Sequence, residues 1–129
     1  MEIRGTGSYL PGKIITNDDL SEVVDTNDEW ISSRTGICQR HISEGETTSE
    51  MAAKAAVAAL EDAEVSPEEV ELIIVATMTG DEAMPGTACK VQKEIGAVHA
   101  ACFDLSAACT GFVFALNTAN AYLESGMYR

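Results

Sequence analysis

The stretch FDLSAACTGFVFAL, residues 103–116, contains the side chain best suited to covalent chemistry, Cys109. Cys109 follows a predicted strand and lies at the first turn of a predicted helix, where partial positive charge and unpaired N–H groups stabilise a thiolate. The same N–H groups could donate to an oxyanion during acyl transfer. Its neighbours Ala107, Ala108 and Gly111 are small and leave room for a ligand. Free cysteine is also a common packing residue, so local chemistry leaves two interpretations open, nucleophile and core residue.

The remaining cysteines and histidines indicate no second chemical centre. Cys38 lies in a predicted connecting segment, Cys89 inside a predicted helix and Cys102 within a predicted strand. No Cys-x-x-Cys pair and no zinc-finger spacing is present, so no metal site is expected. We interpret these three cysteines as packing residues, and His41 and His99 as ordinary histidines rather than catalytic bases.

Length and composition indicate one globular domain. The chain has 129 residues, 46% of them hydrophobic, which is enough to bury a core. Eight basic residues against 21 acidic ones give a net charge of −13, which disfavours a nucleic-acid partner because phosphate binding needs a basic face. The apolar runs are too short to span a bilayer, and no secretory signal is visible at the N-terminus. These features predict a cytoplasmic protein that does not bind membranes.

The N-terminal segment predicts a strand and not a nucleotide loop. IRGTGSYLP, residues 3–11, has the composition of a strand closed by Pro11 and Gly12. GTGSYL superficially resembles a dinucleotide-binding fingerprint. However, Leu10 stands where the third glycine is needed, and no helix opens directly afterwards.

Capping patterns predict where the helices of the first half begin. A short helix is predicted with its cap near Asn17. A second short helix begins with a capping box of Thr26 and Glu29 and ends at a glycine. A long helix begins at the capping box of Thr47 and Glu50.

The second half alternates strands and helices. VELIIVATMT, residues 70–79, predicts a strand buried on both faces, because it is nearly continuously apolar and rich in β-branched residues. A helix is predicted over about 86–95, a strand over 99–106 and a last helix over about 109–125. This order predicts an α/β fold with a mostly parallel sheet. The last helix is apolar nearly all round, which is typical of the interior of a larger protein.

Four segments together closely resemble one known family. GTGSYLPGKIITNDDL, DTNDEWISSRTGICQRHI, MPGTACKVQKEIGA and FDLSAACTGFVFAL are similar to the N-terminal half of β-ketoacyl-[acyl-carrier-protein] synthase III, of the thiolase-like superfamily. The match covers essentially the whole chain and favours the nucleophile interpretation of Cys109. It implies that residues 1–129 form the N-terminal half of a thiolase-like α/β fold, with a mostly parallel or mixed sheet and a buried helix bearing the nucleophile.

The resemblance also implies a reaction. Cys109 would take an acyl group, typically acetyl, from coenzyme A, and the acyl-enzyme would condense with malonyl-acyl-carrier protein as the malonyl group loses carbon dioxide. A cysteine suits thioester chemistry because thiolate attack gives an intermediate of similar energy. Acyl-CoA is a substrate here, so no cofactor is expected. The implied partners are acyl-CoA, malonyl-acyl-carrier protein and, in the full-length enzyme, a second copy in a homodimer.

Four further residues match positions with roles in that family. Trp30 matches a tryptophan that stacks on the coenzyme A adenine, Arg34 an arginine near the nucleotide phosphates, and Thr26 a threonine at the adenine. The chemistry agrees, because an indole offers a π face and a guanidinium pairs with phosphate. Met84 matches the position that reaches across the dimer to line the partner's acyl pocket, where phenylalanine is frequent.

The family's catalytic histidine and asparagine belong to a second half that this chain does not contain, and neither His41 nor His99 matches them. We therefore expect the 129 residues alone to have negligible condensing activity. Two alternatives stay open. One is another thiolase-superfamily synthase, such as a hydroxymethylglutaryl-CoA or polyketide-type enzyme. The other is a non-catalytic half-domain that binds coenzyme A or pairs with another chain.

Overall fold

A computed structural model describes residues 1–129 as two compact units. One unit comprises Leu10–Glu46. The other joins Met1–Tyr9 to Thr47–Arg129. The sequence predicted one domain and gave no sign of a division. The two units and their boundaries come from the structure alone.

The smaller unit is a two-stranded antiparallel sheet with two short helices. Strand β1, Lys13–Thr16, pairs with strand β2, Gln39–Ile42. Helices α1, Asn17–Ser21, and α2, Asp28–Thr35, lie between them in the chain. Strand β2 was not predicted, and the strand predicted over residues 3–11 is not formed.

A buried asparagine organises the smaller unit. Asn17 is almost fully buried, and its amide donates to Asp28 Oδ1 at 2.8 Å and to the Ile37 carbonyl at 2.7 Å. Its Oδ1 accepts from Arg40 Nη1 at 3.1 Å. Both ends of the amide are therefore satisfied, as a buried polar group requires. The sequence placed a helix cap near Asn17, but its amide connects α1 to α2 and β2.

The cap residues differ by one position from those predicted. Thr16 caps α1 in a reciprocal box with Asp19. Asn27 caps α2 by accepting from the Trp30 N–H at 2.8 Å, so the box predicted for Thr26 is wrong. Gly36 ends α2 with φ of 72°, a left-handed conformation that glycine adopts without steric cost.

The larger unit contains helix α3, Thr48–Ala63, and a βαβ arrangement. The capping box of Thr47 and Glu50 that starts α3 is confirmed. Strand β3, Leu72–Ala76, pairs in parallel with strand β4, Ala101–Leu105. Helix α4, Thr87–Ile95, connects them and packs on α3 and on both strands. Parallel and antiparallel pairs are both present, so the expectation of a mixed α/β fold is confirmed.

The core of the larger unit is small and made of short side chains. Its buried apolar residues come mainly from α3, α4 and the segment after α4, and they are Ala53, Ala88, Val91, Ala97 and Ala100. Strand β3 is only half-buried, although the sequence predicted burial on both faces. One face of β3 receives α4, and helix α5, Gly111–Glu124, also packs on this strand. A cavity of about 990 Å³ lies beside β3 and α5.

Helix α5 confirms its predicted position, and its large apolar side chains are uncovered within this chain. Phe112 is 73% exposed and Phe114 is 53% exposed, and only Gly111 is buried in the whole helix. Large apolar side chains thus face solvent in this chain. None of its helices combines the length and the apolar character that a membrane span requires.

The N-terminal segment lies against α3 and forms no strand. A Cβ atom on Gly7 would lie 2.1 Å from the Ala55 carbonyl oxygen, and one on Gly5 would lie 2.5 Å from the Ala59 carbonyl oxygen. The Thr6 N–H donates to the Asp62 carboxylate at 2.8 Å. The two glycines therefore permit a close backbone approach to a helix.

Candidate functional site

Cys109 lies in a tight turn between β4 and α5. A 3₁₀ turn, Ala108–Thr110, follows β4 and leads directly into α5. The sequence placed the start of the last helix at about Cys109, two residues before Gly111, the first α-helical residue. The Cys109 side chain is exposed in this chain.

The backbone around Cys109 is held in an unusual shape. Ala108 has φ of 47°, in the left-handed region that residues with a Cβ seldom adopt. The Ala107 carbonyl accepts from both the N–H and the hydroxyl of Thr110, at 3.2 and 2.8 Å. Gly111 lies close to β3: a Cβ atom added to this glycine would be 3.2 Å from the Ala76 Cβ. The turn is therefore pinned to β3 at one end and closed by Thr110 at the other.

The N-terminal end of α5 has no capping side chain. The backbone N–H groups of a helix start carry partial positive charge and lack intrahelical acceptors. Beside Cys109, the Thr110 N–H donates to the Ala107 carbonyl and the Gly111 N–H to the Ala108 carbonyl. The helix start therefore offers partial positive charge beside an exposed thiol that can attack a carbonyl carbon.

Parallel pairing brings two loops to one edge of the sheet. Thr77, directly after β3, donates its N–H to the Leu105 carbonyl at 3.2 Å, and the Ser106 hydroxyl donates to Met78 Sδ at 2.9 Å. The segments that continue to Met84 and to Cys109 thus both start at the carboxyl ends of paired strands. In open α/β sheets this edge is where ligands bind.

The loop that carries Met84 is anchored by polar contacts. The Ser49 hydroxyl donates to Asp81 Oδ2 at 2.5 Å, and this hydrogen bond is the main reason that the pKa of Asp81 lies below its ordinary value. Lys90 Nζ contacts Glu82 Oε1 at 2.8 Å. Met84 itself is 86% exposed, so its side chain is available to another molecule.

Asp104 links the two segments of this edge, a role that the sequence does not predict. Its carboxylate accepts from the N–H groups of Thr87 and Ala88, at 2.7 and 2.6 Å, at the start of α4. Gly86, the N-cap of α4, has no side chain to do so. The only signal in the sequence is an acidic residue inside an otherwise apolar strand.

Trp30 and Arg34 lie together on α2 in the smaller unit. The Arg34 guanidinium carbon lies 4.7 Å from the centroid of the Trp30 ring, and the tryptophan is 54% exposed. The spacing of four residues places both side chains on one helix face. Thr26 is half-buried and directly precedes the helix cap Asn27. The pair offers an aromatic face and a cation side by side, which suits a purine and a phosphate.

The other titratable candidates have ordinary roles. His41 Nδ1 lies 2.6 Å from the Pro11 carbonyl oxygen within the smaller unit, and His99 is exposed just before β4. No group of three or more histidine, cysteine or acidic side chains is arranged to hold a metal ion.

Comparison with known proteins shows what this chain resembles. A family model described as 3-oxoacyl-[acyl-carrier-protein (ACP)] synthase III matches residues 103–129. The β-ketoacyl-[acyl-carrier-protein] synthase III of Clostridium acetobutylicum is 60% identical over all 129 residues, which are 40% of that protein. The enzyme of the same name from Lactococcus lactis is 54% identical over 99% of this chain and 39% of its own length.

Solved structures agree in fold. The 3-oxoacyl-[acyl-carrier-protein] synthase III of Aquifex aeolicus superimposes with a TM-score of 0.93 at 50% identity, over 97% of this chain and 41% of the other. The priming β-ketosynthase of the R1128 polyketide pathway gives a TM-score of 0.94 at 42% identity, over 99% and 39%. The chain spans about two fifths of the length of the proteins it matches. The resemblance seen in the motifs is thus confirmed: in sequence and fold the chain is similar to about two fifths of the length of β-ketoacyl-[acyl-carrier-protein] synthase III.

Proposed function

We propose that this chain supplies the acyl-accepting half of a β-ketoacyl-[acyl-carrier-protein] synthase III, which condenses an acyl-CoA primer with malonyl-acyl-carrier protein to initiate fatty-acid synthesis. The observation that carries the proposal is the exposed Cys109 thiol at the uncapped start of α5, in a chain 60% identical to a synthase of that name. The protein acts in the cytoplasm.

The first step transfers the acyl group to sulfur. The Cys109 thiolate attacks the thioester carbonyl carbon of acyl-CoA, and the carbon–sulfur bond to coenzyme A breaks. Coenzyme A leaves as a thiolate and takes up the proton that Cys109 gave up. The partial positive charge at the start of α5 stabilises the oxyanion formed in between.

The second step forms the carbon–carbon bond. Loss of carbon dioxide from the malonyl group leaves a carbanion, which attacks the acyl carbonyl carbon on Cys109. The Cys109 thiolate departs and the β-ketoacyl product stays on the carrier protein. The family's histidine and asparagine assist this step and come from the part of the length that this chain does not span.

Trp30, Arg34 and Thr26 bind the coenzyme A nucleotide in this proposal. Trp30 stacks on adenine, and Arg34 neutralises phosphate locally against a chain charge of −13. Met84 lines the acyl pocket of a second copy in a homodimer. A flexible thioether adapts to several acyl shapes, so the primer is acetyl or a somewhat larger acyl group.

Intact-mass spectrometry tests the assignment of Cys109. The protein at the full family length is incubated with acetyl-CoA, and we expect one added acetyl mass that maps to residue 109. The Cys109→Ser variant should show none on the same timescale, whereas Cys38→Ser, another exposed cysteine, should acylate like the parent. An unchanged mass in the parent, or acylation at another cysteine, would overturn the proposal.

The same assay separates the synthase from a binding half-domain. If coenzyme A binds but no acyl group reaches Cys109, the non-catalytic alternative holds. For the isolated 129 residues we expect alkylation of Cys109 but negligible condensation. Clear acetyl-CoA-dependent formation of β-ketoacyl product by that chain alone would contradict this expectation.

A further inference from the structure

Two cysteines outside the site described above lie in direct contact. Cys89 is on α4 and Cys102 is on β4, and their sulfur atoms are 3.2 Å apart, with the Cys102 thiol placed to donate. Cys102 Sγ is also 3.4 Å from Gln92 Oε1. Thirteen positions separate the two cysteines in sequence, and no Cys-x-x-Cys motif marks them. The sequence alone favours a packing role for both.

The surrounding structure holds this pair in place. On one side, Asp104 anchors the start of α4 to β4 through the N–H groups of Thr87 and Ala88. On the other side, Gln92 Nε2 donates to the Ala100 carbonyl at 2.6 Å, just before β4 begins. Helix and strand are thus joined on both sides of the two sulfur atoms. A disulfide bond is about 2.05 Å long, so closure requires an approach of only about 1.2 Å.

We propose that Cys89 and Cys102 form an oxidation-sensitive pair, a modification site that closes to a reversible disulfide between α4 and β4. This proposal does not depend on the proposed function, because neither sulfur takes part in acyl transfer. The closed form would join the helix that follows the Met84 loop to the strand that leads to Cys109.

A low-molecular-weight disulfide is the oxidant that balances the reaction. The Cys89 thiolate attacks one sulfur of the oxidant, which forms a mixed disulfide and releases one thiol. Cys102 then gives up its proton and attacks the Cys89 sulfur, which releases the second thiol. Two protein thiols are oxidised to one disulfide, and the oxidant is reduced to two thiols that carry the protons.

The environments of the two sulfur atoms set this order. Cys89 is exposed, whereas Cys102 is half-buried. Burial first, and then the hydrogen bond to Cys89, raise the pKa of Cys102 to about 11. Cys102 therefore reacts poorly with an oxidant in solution. Its contact with Cys89 compensates in the second step, because a reactant held in place acts at a high effective concentration.

Peptide mapping after oxidation tests the pair. The Cys109→Ser protein is treated with oxidised glutathione, its free thiols are blocked with N-ethylmaleimide, and it is digested with trypsin without reductant. Cys89 and Cys102 fall in separate tryptic peptides, residues 55–90 and 94–129. The background substitution is needed because the second peptide also contains Cys109. We expect these peptides to be linked with the loss of two hydrogen atoms and to separate on reduction.

Single substitutions on that background provide the controls. Cys38→Ser should give the linked peptides unchanged. Cys102→Ser, or Cys102→Ala if serine disturbs the half-buried site, should accumulate glutathione on Cys89 without resolution. Cys89→Ser should leave Cys102 at least tenfold slower to oxidise than Cys89 is in the parent. Glutathione adducts without linkage in the background protein, or equally fast oxidation of Cys102 in Cys89→Ser, would overturn the proposal.

Discussion

The accessibility of the Cys109 sulfur depends on the residues that surround it. Ala107 and Ala108 precede it and Gly111 follows it, and none of these side chains extends far enough to cover the thiol. Thr110 closes the turn through two hydrogen bonds to one carbonyl oxygen. A larger residue at any of these small positions would obstruct the approach of a thioester.

At the same scale, Trp30 provides a test of nucleotide recognition. In the protein at the full family length, Trp30→Ala should raise the KM for acyl-CoA about tenfold and leave kcat nearly unchanged, because stacking of a base on an aromatic ring contributes about 1–3 kcal/mol. Steady-state kinetics measures both constants. Ser33→Ala, also exposed on α2, is the matched control. An unaltered KM in Trp30→Ala would remove this residue from the binding site.

The sequence marks the candidate site residues but not their contacts. Cys109, Trp30 and Arg34 stand in recognisable motifs, and the four-residue spacing of the last two predicts that they share a helix face. The contact between Cys89 and Cys102 could not be predicted, because it depends on how α4 packs on β4. The role of Asp104 depends on the same packing.

At the scale of elements, the composition of the N-terminal segment suits either a strand or an extended segment packed on a helix. Ile3 and Tyr9 favour a strand, but Gly5 and Gly7 between them have no side chains to pack on a sheet face. Both glycines instead lie against the backbone of α3, at distances that leave no space for a Cβ. The Thr6 N–H is satisfied by the Asp62 carboxylate and not by a neighbouring strand.

Gly7→Ala tests this contact. Its Cβ would lie 2.1 Å from a backbone oxygen of α3, which a side-chain rotation cannot relieve. We expect a loss of about 1–3 kcal/mol in the free energy of unfolding, measured by urea denaturation. Gly12→Ala is the control, since nothing lies within 4 Å of its added carbon and the change should stay within about 0.5 kcal/mol. Equal stability of the two variants would contradict the packing described here.

Helices were predicted more accurately than strands for a physical reason. A helix satisfies its hydrogen bonds locally, so caps such as Thr47 with Glu50 and terminators such as Gly36 and Gly96 mark its ends in the sequence. Strand β2 depends on its hydrogen bonds to β1. Its four residues show no clear alternation of apolar and polar side chains that would mark a strand in the sequence. The predicted strand over residues 3–11 lacked a partner strand in this chain.

For the whole chain, exposed apolar surface coexists with strong negative charge. Phe112, Val113 and Phe114 are all more than half exposed on α5, and the net charge is −13. Burial of one such side chain contributes about 1.5–3 kcal/mol, so the surface favours association with another apolar surface. Repulsion between acidic chains opposes this association and weakens as salt is added.

We therefore expect the isolated 129 residues to self-associate, more strongly at high salt. Light scattering should detect species larger than a monomer. Replacement of Phe112 and Phe114 together by serine should reduce their fraction severalfold. Val23→Ser, at a residue that is 77% exposed in the smaller unit, should have little effect. A monodisperse monomer at high salt would show that this surface does not drive association.

The left-handed backbone of Ala108 has a consequence for the direction of approach to Cys109. Glycine would adopt φ of 47° without strain, whereas alanine carries a steric cost there that exceeds the entropy it saves in the unfolded chain. The two residues also differ in backbone flexibility. Glycine populates positive and negative φ about equally, whereas the surrounding structure holds Ala108 at positive φ. The methyl group of Ala108 thus narrows the backbone conformations open to the turn, and the Cα–Cβ bond of Cys109 keeps a more constant direction.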